Sequence, residues 1–323
     1  MRVAVTGGAG FIGANLCRAL ARTDGVDGIV AIDDLSTGDA SNLTGIPRVE
    51  LVTATILDRD ALDAAFADAG AVVHLAARPS VPRSIDDPLA THVANATGTL
   101  EVLEGVRRAR GPALVVASSS SVYGSNPELP KHEGLVPMPM SPYAASKLAA
   151  EAYALAHAAC FALDVLVFRF FNVFGPLQPA HHAYAAVIPA FVSAAVDGRP
   201  LPLHGDGSQT RDFTFVDSVV AVLVDAVLRR VSSAGPVNLA FGSRVSLLET
   251  IAELEVILGR RLPVERLPRR PGDVPASQAD QTRLRELFPD VRPVVLSDGL
   301  RKTVEWFRNE MTTAAGQQGW ERQ

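Results

Sequence analysis

The sequence predicts an α/β protein built on a doubly wound parallel sheet. Short apolar runs alternate along the chain with longer stretches of helical periodicity, the pattern of strands joined by crossover helices. The first run, residues 2–6, leads through a glycine-rich turn into a helical stretch that ends near Ala21. At 323 residues the chain exceeds the length at which single cores stop growing, about 250 to 300 residues. We therefore expect a Rossmann-type sheet and a second, smaller C-terminal α/β domain.

The remaining elements of the expected sheet follow in order. Predicted strands cover residues 28–32, 48–53, 71–76, 113–117 and 165–170, and predicted helices cover residues 60–69, 92–110 and 141–161. In such a sheet ligands bind beyond the carboxyl ends of the strands. Side chains that directly follow a predicted strand are therefore the first candidates for a functional site.

Composition and charge exclude several classes of protein. Hydrophobic residues make up 48% and charged residues 20%, and the net charge of -5 gives no electrostatic footprint for nucleic acid. The most apolar run, residues 219–228, is too short for a membrane span, and the first strand leaves no room for a signal peptide. Cys17 and Cys160 have no partner at metal-ligand spacing and are expected to be buried helix residues in a reducing compartment. We expect a soluble cytoplasmic protein without a metal site and without a nucleic-acid or membrane partner.

The glycine-rich turn after the first strand predicts a dinucleotide site. Gly7 allows a tight turn, Gly10 lets phosphates approach the backbone, and Gly13 lets the helix pack closely on the strand. Asp33 directly follows the second predicted strand, residues 28–32, at about the twenty-residue offset where an acid binds the adenosine ribose. No Arg or Lys follows before Arg48, so NAD is favoured over NADP.

Tyr143 and Lys147 form the second candidate site. Residues four apart share one face of a helix, separated by about 6 Å of axial rise. An ammonium beside a phenol favours the phenolate, so the pair could act as a general base near neutral pH. The plain alternative is a surface Tyr and Lys on an amphipathic helix. A serine run, residues 118–121, directly follows the predicted strand 113–117 and favours the catalytic interpretation by its position.

Four motifs together resemble the extended short-chain dehydrogenase/reductase family. The chain looks most like the UDP-sugar 4-epimerases of that family, over residues 1 to about 280. The motifs are Thr6 to Gly13, His74-Leu75-Ala76-Ala77, the Val122-Tyr123-Gly124 turn and Tyr143 with Lys147. The resemblance implies that Ser119 binds the sugar 4-hydroxyl and that Tyr143 is the base. It also implies that Lys147 holds the nicotinamide ribose and lowers the tyrosine pKa.

The resemblance implies further residues around the cofactor. Asn95 is expected to support the active-site helix, with Ser120 as a second supporting residue. Thr55 stands where family members often place an aspartate on the adenine amino group, so a weaker adenine contact is expected. The expected NAD-binding residues are Gly7, Gly10, Phe11, Ile12, Gly13, Asp33, Thr55, Ile56, Leu75, Ala76, Ala77, Tyr143 and Lys147.

The second half of the chain resembles the sugar-nucleotide side of these enzymes. Two arginines on one diphosphate make chemical sense, because guanidinium forks suit phosphate oxygens. The small Ser277 is expected to leave room for an N-acetyl group beside the sugar. The expected substrate-binding residues are Ser80, Asn172, Gln178, Val187, Leu203, Arg211, Arg270, Asp273 and Ser277.

The implied reaction is NAD-dependent inversion of carbon 4 of a UDP-hexose through a transient 4-keto sugar. A 4,6-dehydratase needs an Asp-Glu pair where Ser120 and Ser121 stand. A UDP-glucuronate 4-epimerase or decarboxylase should place an Arg against the carboxylate; residues 175–182 offer none, although His181 or His182 could substitute. A non-catalytic NAD sensor should have lost the Ser, Tyr or Lys.

Domain boundaries and assembly complete the expectations. Residues 1–171 plus about 212–242 should form the NAD-binding domain, and about 172–211 plus 243–323 the nucleotide-sugar domain. The resemblance also implies a homodimer formed through the helices predicted at 92–110 and 141–161.

Overall fold

A computed structural model describes residues 1–109, 111–180, 185–269 and 274–320. Its strands are β1 Arg2–Thr6, β2 Gly28–Asp33, β3 Val49–Thr53, β4 Ala69–His74, β5 Ala113–Ser119, β6 Val165–Phe170, β7 Asn172–Phe174, β8 Leu201–His204, β9 Thr210–Arg211, β10 Phe213–Phe215, β11 Val237–Leu239, β12 Val245–Ser246 and β13 Val264–Leu267. Its α-helices are α1 Phe11–Leu20, α2 Arg59–Phe66, α3 Val81–Asp86, α4 Pro88–His92, α5 Gly98–Arg108, α6 Pro142–Phe161, α7 Val187–Val196, α8 Val216–Arg229, α9 Leu247–Leu258, α10 Thr282–Leu287 and α11 Leu296–Trp320.

Seven parallel strands form the central sheet, in the order β11-β6-β5-β4-β1-β2-β3. The strand order reverses between β1 and β4, which opens a crevice at their carboxyl ends. The doubly wound fold predicted from the alternating pattern is confirmed.

Alternate residues of the central strands belong to two different hydrophobic cores. On β1, Val3 and Val5 join one core and Ala4 the other, and Val72 of β4 lies with Ala4. A strand buried on both faces reads as a continuous apolar run, which is the pattern seen in the sequence. Helices cover both faces of the sheet, so the crevice at its carboxyl edge is left for ligands.

The helix predicted at residues 92–110 differs from the structure in an informative way. Helix α4 ends at His92, a π-helical segment Val93–Thr97 follows, and α5 begins at Gly98. A π-helical turn takes one extra residue and commonly occurs at functional sites. This segment contains Asn95, whose side chain leaves the helix to make contacts described below.

The smaller strands lie in the second half of the chain. β8 pairs with β13 in parallel, β9 with β12 antiparallel, and β7 with β10 in parallel. The proposed division of the chain into two domains stays a prediction.

One sequence-based expectation about the cysteines is wrong. Cys17 is buried in α1, but Cys160 is exposed, because it lies on the outer side of the last turn of α6. Among the described helices none is long and apolar enough to cross a bilayer. In the same part of the chain no group of three or more His, Cys, Asp or Glu side chains is placed to hold a metal ion.

Candidate active site

The β1–α1 turn packs directly on the chain that leaves β4. Gly7 has φ of +71°, and a Cβ there would lie 2.7 Å from the Ala76 nitrogen. A Cβ on Gly13 would lie 2.1 Å from the Gly7 oxygen. Both positions therefore require glycine. Leu75 and Ala76 are held to the same turn, because their amides donate to the backbone oxygen and to Oγ1 of Thr6 at 3.0 and 3.3 Å.

The N-terminus of α1 is open to an anion. Gly10 is its N-cap residue, no side chain caps the helix, and its first turn, which holds Phe11 and Ile12, contains no acid. The uncapped N–H groups and the positive end of the helix dipole suit a pyrophosphate. The residues present therefore fit the phosphates of a dinucleotide.

Asp33 lies at the end of β2 beside the same turn. Its oxygens accept from the amides of Ala9 and Leu35 at 3.0 and 2.9 Å. Burial raises the pKa of this carboxyl, and the two N–H groups offset part of that rise. The carboxylate is thus fixed at the crevice edge, where its remaining lone pairs can accept from a ribose diol.

The adenine end has a different character. Thr55 is exposed, and its hydroxyl accepts from the Leu57 amide at 3.3 Å. Ile56 is buried against Gly98, where a Cβ would lie 2.4 Å from the isoleucine Cδ1. Ile56 thus packs on the start of α5 and leaves Thr55 at the surface.

Ser119 and Tyr143 are brought together at the carboxyl end of β5. Ser119 is the last residue of β5, and Tyr143 lies in the first turn of α6, whose N-cap Ser141 accepts from the Ala144 amide at 3.1 Å. A hydrogen bond with Ser119 lowers the pKa of Tyr143, but burial outweighs it and the net pKa is raised.

Lys147 lies on α6 four residues after Tyr143 and is buried. The Lys147 ammonium donates to the Ala117 carbonyl at 2.8 Å, and burial lowers its own pKa to about 8. Desolvation disfavours both charged forms, and the phenolate is favoured only by the Ser119 hydrogen bond. The role expected for Lys147, lowering the tyrosine pKa, stays a prediction.

Asn95 connects the π-helical segment to α6. Its Nδ2 donates to Ser146 Oγ at 3.0 Å and to the Arg78 carbonyl at 3.2 Å. Its Oδ1 accepts from the Arg78 amide at 2.7 Å. Asn95 thus holds α6 to the loop that contains Ala77 and Arg78.

The serine turn after Ser119 is half-buried. Ser120 opens a short 3₁₀ turn, and the Ser121 amide donates to Ser119 Oγ at 3.2 Å. The Ser121 hydroxyl is buried and makes no hydrogen bond within the described chain. No carboxylate stands at Ser120 or Ser121, so this turn lacks the acid and base of a dehydratase.

Three expected substrate residues lie around β9. The amide and Nδ2 of Asn172 donate to the Asp212 carbonyl at 3.2 and 3.4 Å, beside Arg211. The Ser277 amide donates to the Thr210 carbonyl at 3.0 Å, and Arg211 Nη1 donates to the same carbonyl at 2.8 Å. Arg211 and Ser277 are both buried. The Thr210 carbonyl therefore joins the Arg211 guanidinium to the backbone of Ser277.

The other expected substrate residues have separate local roles. Ser80 has φ of +98° and its hydroxyl accepts from the Arg83 amide at 3.4 Å at the start of α3. Gln178 Nε2 donates to the Val173 carbonyl at 3.1 Å. Val187 begins α7, and Leu203 is fully buried in β8. Arg270 and Asp273 lie outside the described residues, as do His181 and His182, so these roles stay predictions.

A buried ion pair near the site was missed from the sequence. Arg169 Nη2 lies 2.5 Å from Glu151 Oε1, and Ser118 donates to Glu151 Oε2 at 2.8 Å. Glu151 follows Lys147 by four residues, so helical spacing could have placed it on the catalytic face of α6. Its partner on β6 had no local signal.

Asp212 was also missed. Its carboxylate accepts from the Ala279 amide at 3.0 Å and the Ser243 hydroxyl at 2.9 Å, and burial raises its pKa to about 6. It joins β9 to the segment that carries Ser277.

Known proteins resemble this chain over nearly its whole length. Residues 3–240 match the NAD dependent epimerase/dehydratase family. The UDP-glucose 4-epimerase of Mycolicibacterium smegmatis is 40% identical over 320 residues, 96% of this chain and 99% of that protein. The UDP-N-acetylglucosamine 4-epimerase of Methanobrevibacter ruminantium, solved with UDP-N-acetylmuramic acid, superposes with a TM-score of 0.90 at 33% identity over 96% of this chain and 98% of that one. The UDP-glucuronic acid 4-epimerase of Bacillus cereus, solved with UDP-glucuronic acid and NAD, gives 0.87 at 30% identity over 96% and 99% of the two chains.

Proposed function

Since the chain belongs to the NAD-dependent epimerase/dehydratase family, we propose that it inverts carbon 4 of a UDP-hexose. The observation that carries this proposal is that Ser119, at the carboxyl end of β5, and Tyr143, in the first turn of α6, lie close enough for Ser119 to affect the tyrosine pKa. As a phenolate, which the positive nicotinamide of bound NAD would favour, Tyr143 could take a proton from a sugar hydroxyl that Ser119 orients.

One group of residues would bind the cofactor, and a second group would bind the substrate and carry out the reaction. The α1 N-terminus and Asp33 would hold the pyrophosphate and adenosine ribose of NAD, which supplies a hydride acceptor and a positive charge when bound. Tyr143 receives the 4-hydroxyl proton and Ser119 orients it. Arg211 pairs with the UDP diphosphate. The hexose is then held through its bond to that diphosphate and can turn over.

The proposed substrates are neutral UDP-hexoses, UDP-glucose with UDP-galactose, and also UDP-GlcNAc with UDP-GalNAc. Ser277 is buried and short, and Gln178 has a buried Oε1 without a partner in the described chain. Both features fit a polar N-acetyl group beside the sugar ring.

UDP-glucuronate is the second candidate, because an enzyme acting on it is among the similar structures. A uronate carboxylate calls for a cation. The described residues 175–180, Gly175 to Ala180, contain none. His181 and His182, which could supply that cation, lie outside the described residues. The neutral hexoses are therefore proposed first.

The test is to incubate the purified protein separately with UDP-glucose, UDP-galactose, UDP-GlcNAc, UDP-GalNAc and UDP-glucuronate and to identify products by NMR. We expect interconversion at carbon 4 that Tyr143→Phe abolishes. Tyr153→Phe, an exposed tyrosine on the same helix, is the matched control and should keep the activity. A 4-keto-6-deoxy or decarboxylated product would contradict the proposal. If UDP-glucuronate is turned over fastest, the substrate is the second candidate and not a neutral hexose.

We also propose that the protein works as a cytoplasmic homodimer. Its cysteines are free thiols, as is usual in a reducing compartment. Exposed apolar side chains lie on α3, α4 and α6, which pack on one another, and they include Ile85, Leu89 and Tyr153. The alanines of α6 are divided, since Ala144 is buried and Ala145 faces out. The outward alanine leaves room for a partner helix.

A further inference from the structure

His74 is a buried histidine to which the proposed reaction gives no role. It ends β4 and is 2% exposed. Both ring nitrogens have partners: Nδ1 lies 2.7 Å from Thr6 Oγ1, and Nε2 lies 2.9 Å from Thr99 Oγ1. The imidazole therefore links two elements, β1 through Thr6 and α5 through Thr99.

A neighbouring hydrogen bond determines which atom donates and which accepts in the two hydrogen bonds of His74. The Thr99 hydroxyl donates its single proton to the Asn95 carbonyl at 2.5 Å, so its oxygen can only accept from His74. Nε2 must then carry the proton, and Nδ1 accepts from the Thr6 hydroxyl. Burial and the Lys147 charge lower the pKa of His74 to about 3, so the ring stays neutral.

The chain of bonds continues into the catalytic helix. Asn95 Nδ2 donates to Ser146 Oγ at 3.0 Å, and the Ser146 hydroxyl donates to the Tyr143 carbonyl at 2.8 Å. At its other end the chain starts at Thr6, the residue directly before Gly7. The bonds therefore run from the glycine turn to the residue that carries the catalytic phenol.

We propose that His74 is a positioning residue for the epimerase reaction, a neutral Nε2–H imidazole that fixes the catalytic helix relative to the dinucleotide turn. This inference rests on the proposed function. The two hydrogen bonds of His74 join β1 to α5. Asn95, which accepts from Thr99, connects α5 to α6 through its hydrogen bond to Ser146. Because the imidazole nitrogens bond Thr6 and Thr99 and not Ser119 or Tyr143, the effect of His74 should fall on the rate of turnover and not on substrate binding.

The first test is the tautomer in the wild-type protein. Two-bond ¹⁵N–¹H correlation spectra distinguish protonation at Nε2 from protonation at Nδ1, and His74→Gln assigns the signal among the seven histidines. We expect an Nε2–H pattern that does not change between about pH 5 and pH 8. A proton on Nδ1, or titration in that range, would overturn the proposal.

The second test compares two buried histidines by kinetics. His74→Phe removes both bonds and should lower kcat about tenfold while KM for the UDP-sugar stays within about twofold. His74→Gln keeps an N–H donor toward Thr99 and should recover part of the rate. His157→Phe is the matched control: His157 is 8% exposed and bonds Tyr153 and Glu104 near the far end of α6, so kcat should stay within about twofold.

A double-mutant cycle tests the route through Ser146. If both residues act through one chain, His74→Phe combined with Ser146→Ala should lose little more rate than the worse single variant. Multiplicative losses would show independent effects and contradict the proposal.

The amide signals of residues 143–147 give a readout that needs no turnover. The chemical shifts of these amides should change in His74→Phe and stay unchanged in His157→Phe. If these amides fail to move, the positioning role is refuted, whereas a wild-type protein inactive on every UDP-sugar refutes only the proposed function.

Discussion

The Lys147 ammonium is buried with one backbone carbonyl as its described hydrogen-bond partner, that of Ala117 at 2.8 Å. Burial lowers its pKa from 10.5 to about 8. Because the folded value is the lower one, the unfolded chain binds more protons between these two values. The cost of burying the charge is therefore complete below pH 8 and disappears as the pH rises toward 10.5.

Lys147→Met should accordingly stabilise the protein near neutral pH. Relief of the buried charge exceeds the lost hydrogen bond, and we expect the free energy of unfolding to rise by about 2 kcal/mol. Urea titrations near pH 7 and pH 10 measure this, and the gain should shrink at the higher pH. Lys302→Met, an exposed lysine, should show no comparable gain. A less stable Lys147→Met near pH 7 would disprove the argument.

Thr55 offers a second test at the scale of one side chain. Its hydroxyl is exposed and neutral, and it already accepts from the Leu57 amide. Thr55→Asp should tighten NAD binding about fivefold, because a charge-assisted bond to the adenine amino group is stronger than a neutral one. Calorimetry with NAD measures the change. Thr53→Asp is the control, because Thr53 is exposed at the end of β3. If both variants change the affinity for NAD equally, the added negative charge acts at long range and not through a bond to adenine.

Three elements are joined by the buried pair of Glu151 and Arg169. Ser118 on β5 and Arg169 on β6 both bond Glu151 on α6, and the guanidinium also lies 4.7 Å from the Tyr123 ring centre. The pair fixes α6 against both strands one turn beyond Lys147. Helix α6 is thus fixed at two points, by the hydrogen bond from Asn95 near its first residue and by the Glu151–Arg169 pair near its middle.

Breaking this pair from one side should be costly. Glu151→Leu leaves Arg169 buried and unpaired, and the free energy of unfolding should fall by about 3 kcal/mol. Glu151→Leu combined with Arg169→Met should lose less than the sum of the single variants, as measured by urea unfolding. The control Asp225→Asn breaks an exposed pair on α8 and should cost under about 1 kcal/mol. Additive losses would mean that the two charges are not coupled.

For the whole molecule, assembly is the property to test. Leu89 is 78% exposed on α4, within the helical surface proposed for the dimer. Leu89→Asp should weaken association, because a carboxylate would be desolvated at an apolar interface. Light scattering across a dilution series measures the mass. Val256→Asp, a 75% exposed valine on α9, should leave the mass unchanged, and equal behaviour of the two variants would place the interface elsewhere.

The sequence by itself determined the sheet, the glycine turn and the helical face that Tyr143 and Lys147 share. Each of these depends on spacing along a short segment: alternating elements, Gly7 to Gly13, and Tyr143 four residues before Lys147. Local periodicity and backbone sterics decide such features, so they can be predicted without knowing what packs on them.

Only the tertiary structure decided the electrostatics of the site. The partner of Lys147 lies 30 residues away, His74 bonds residues 68 and 25 positions away, and Arg169 is 18 residues from Glu151. No local pattern encodes such contacts, and the loss of water that raises the Tyr143 pKa comes from the packing around it. Charge and burial are properties of the assembled fold, which is why the sequence could place Tyr143 and Lys147 on one helical face but could not predict how strongly both are desolvated.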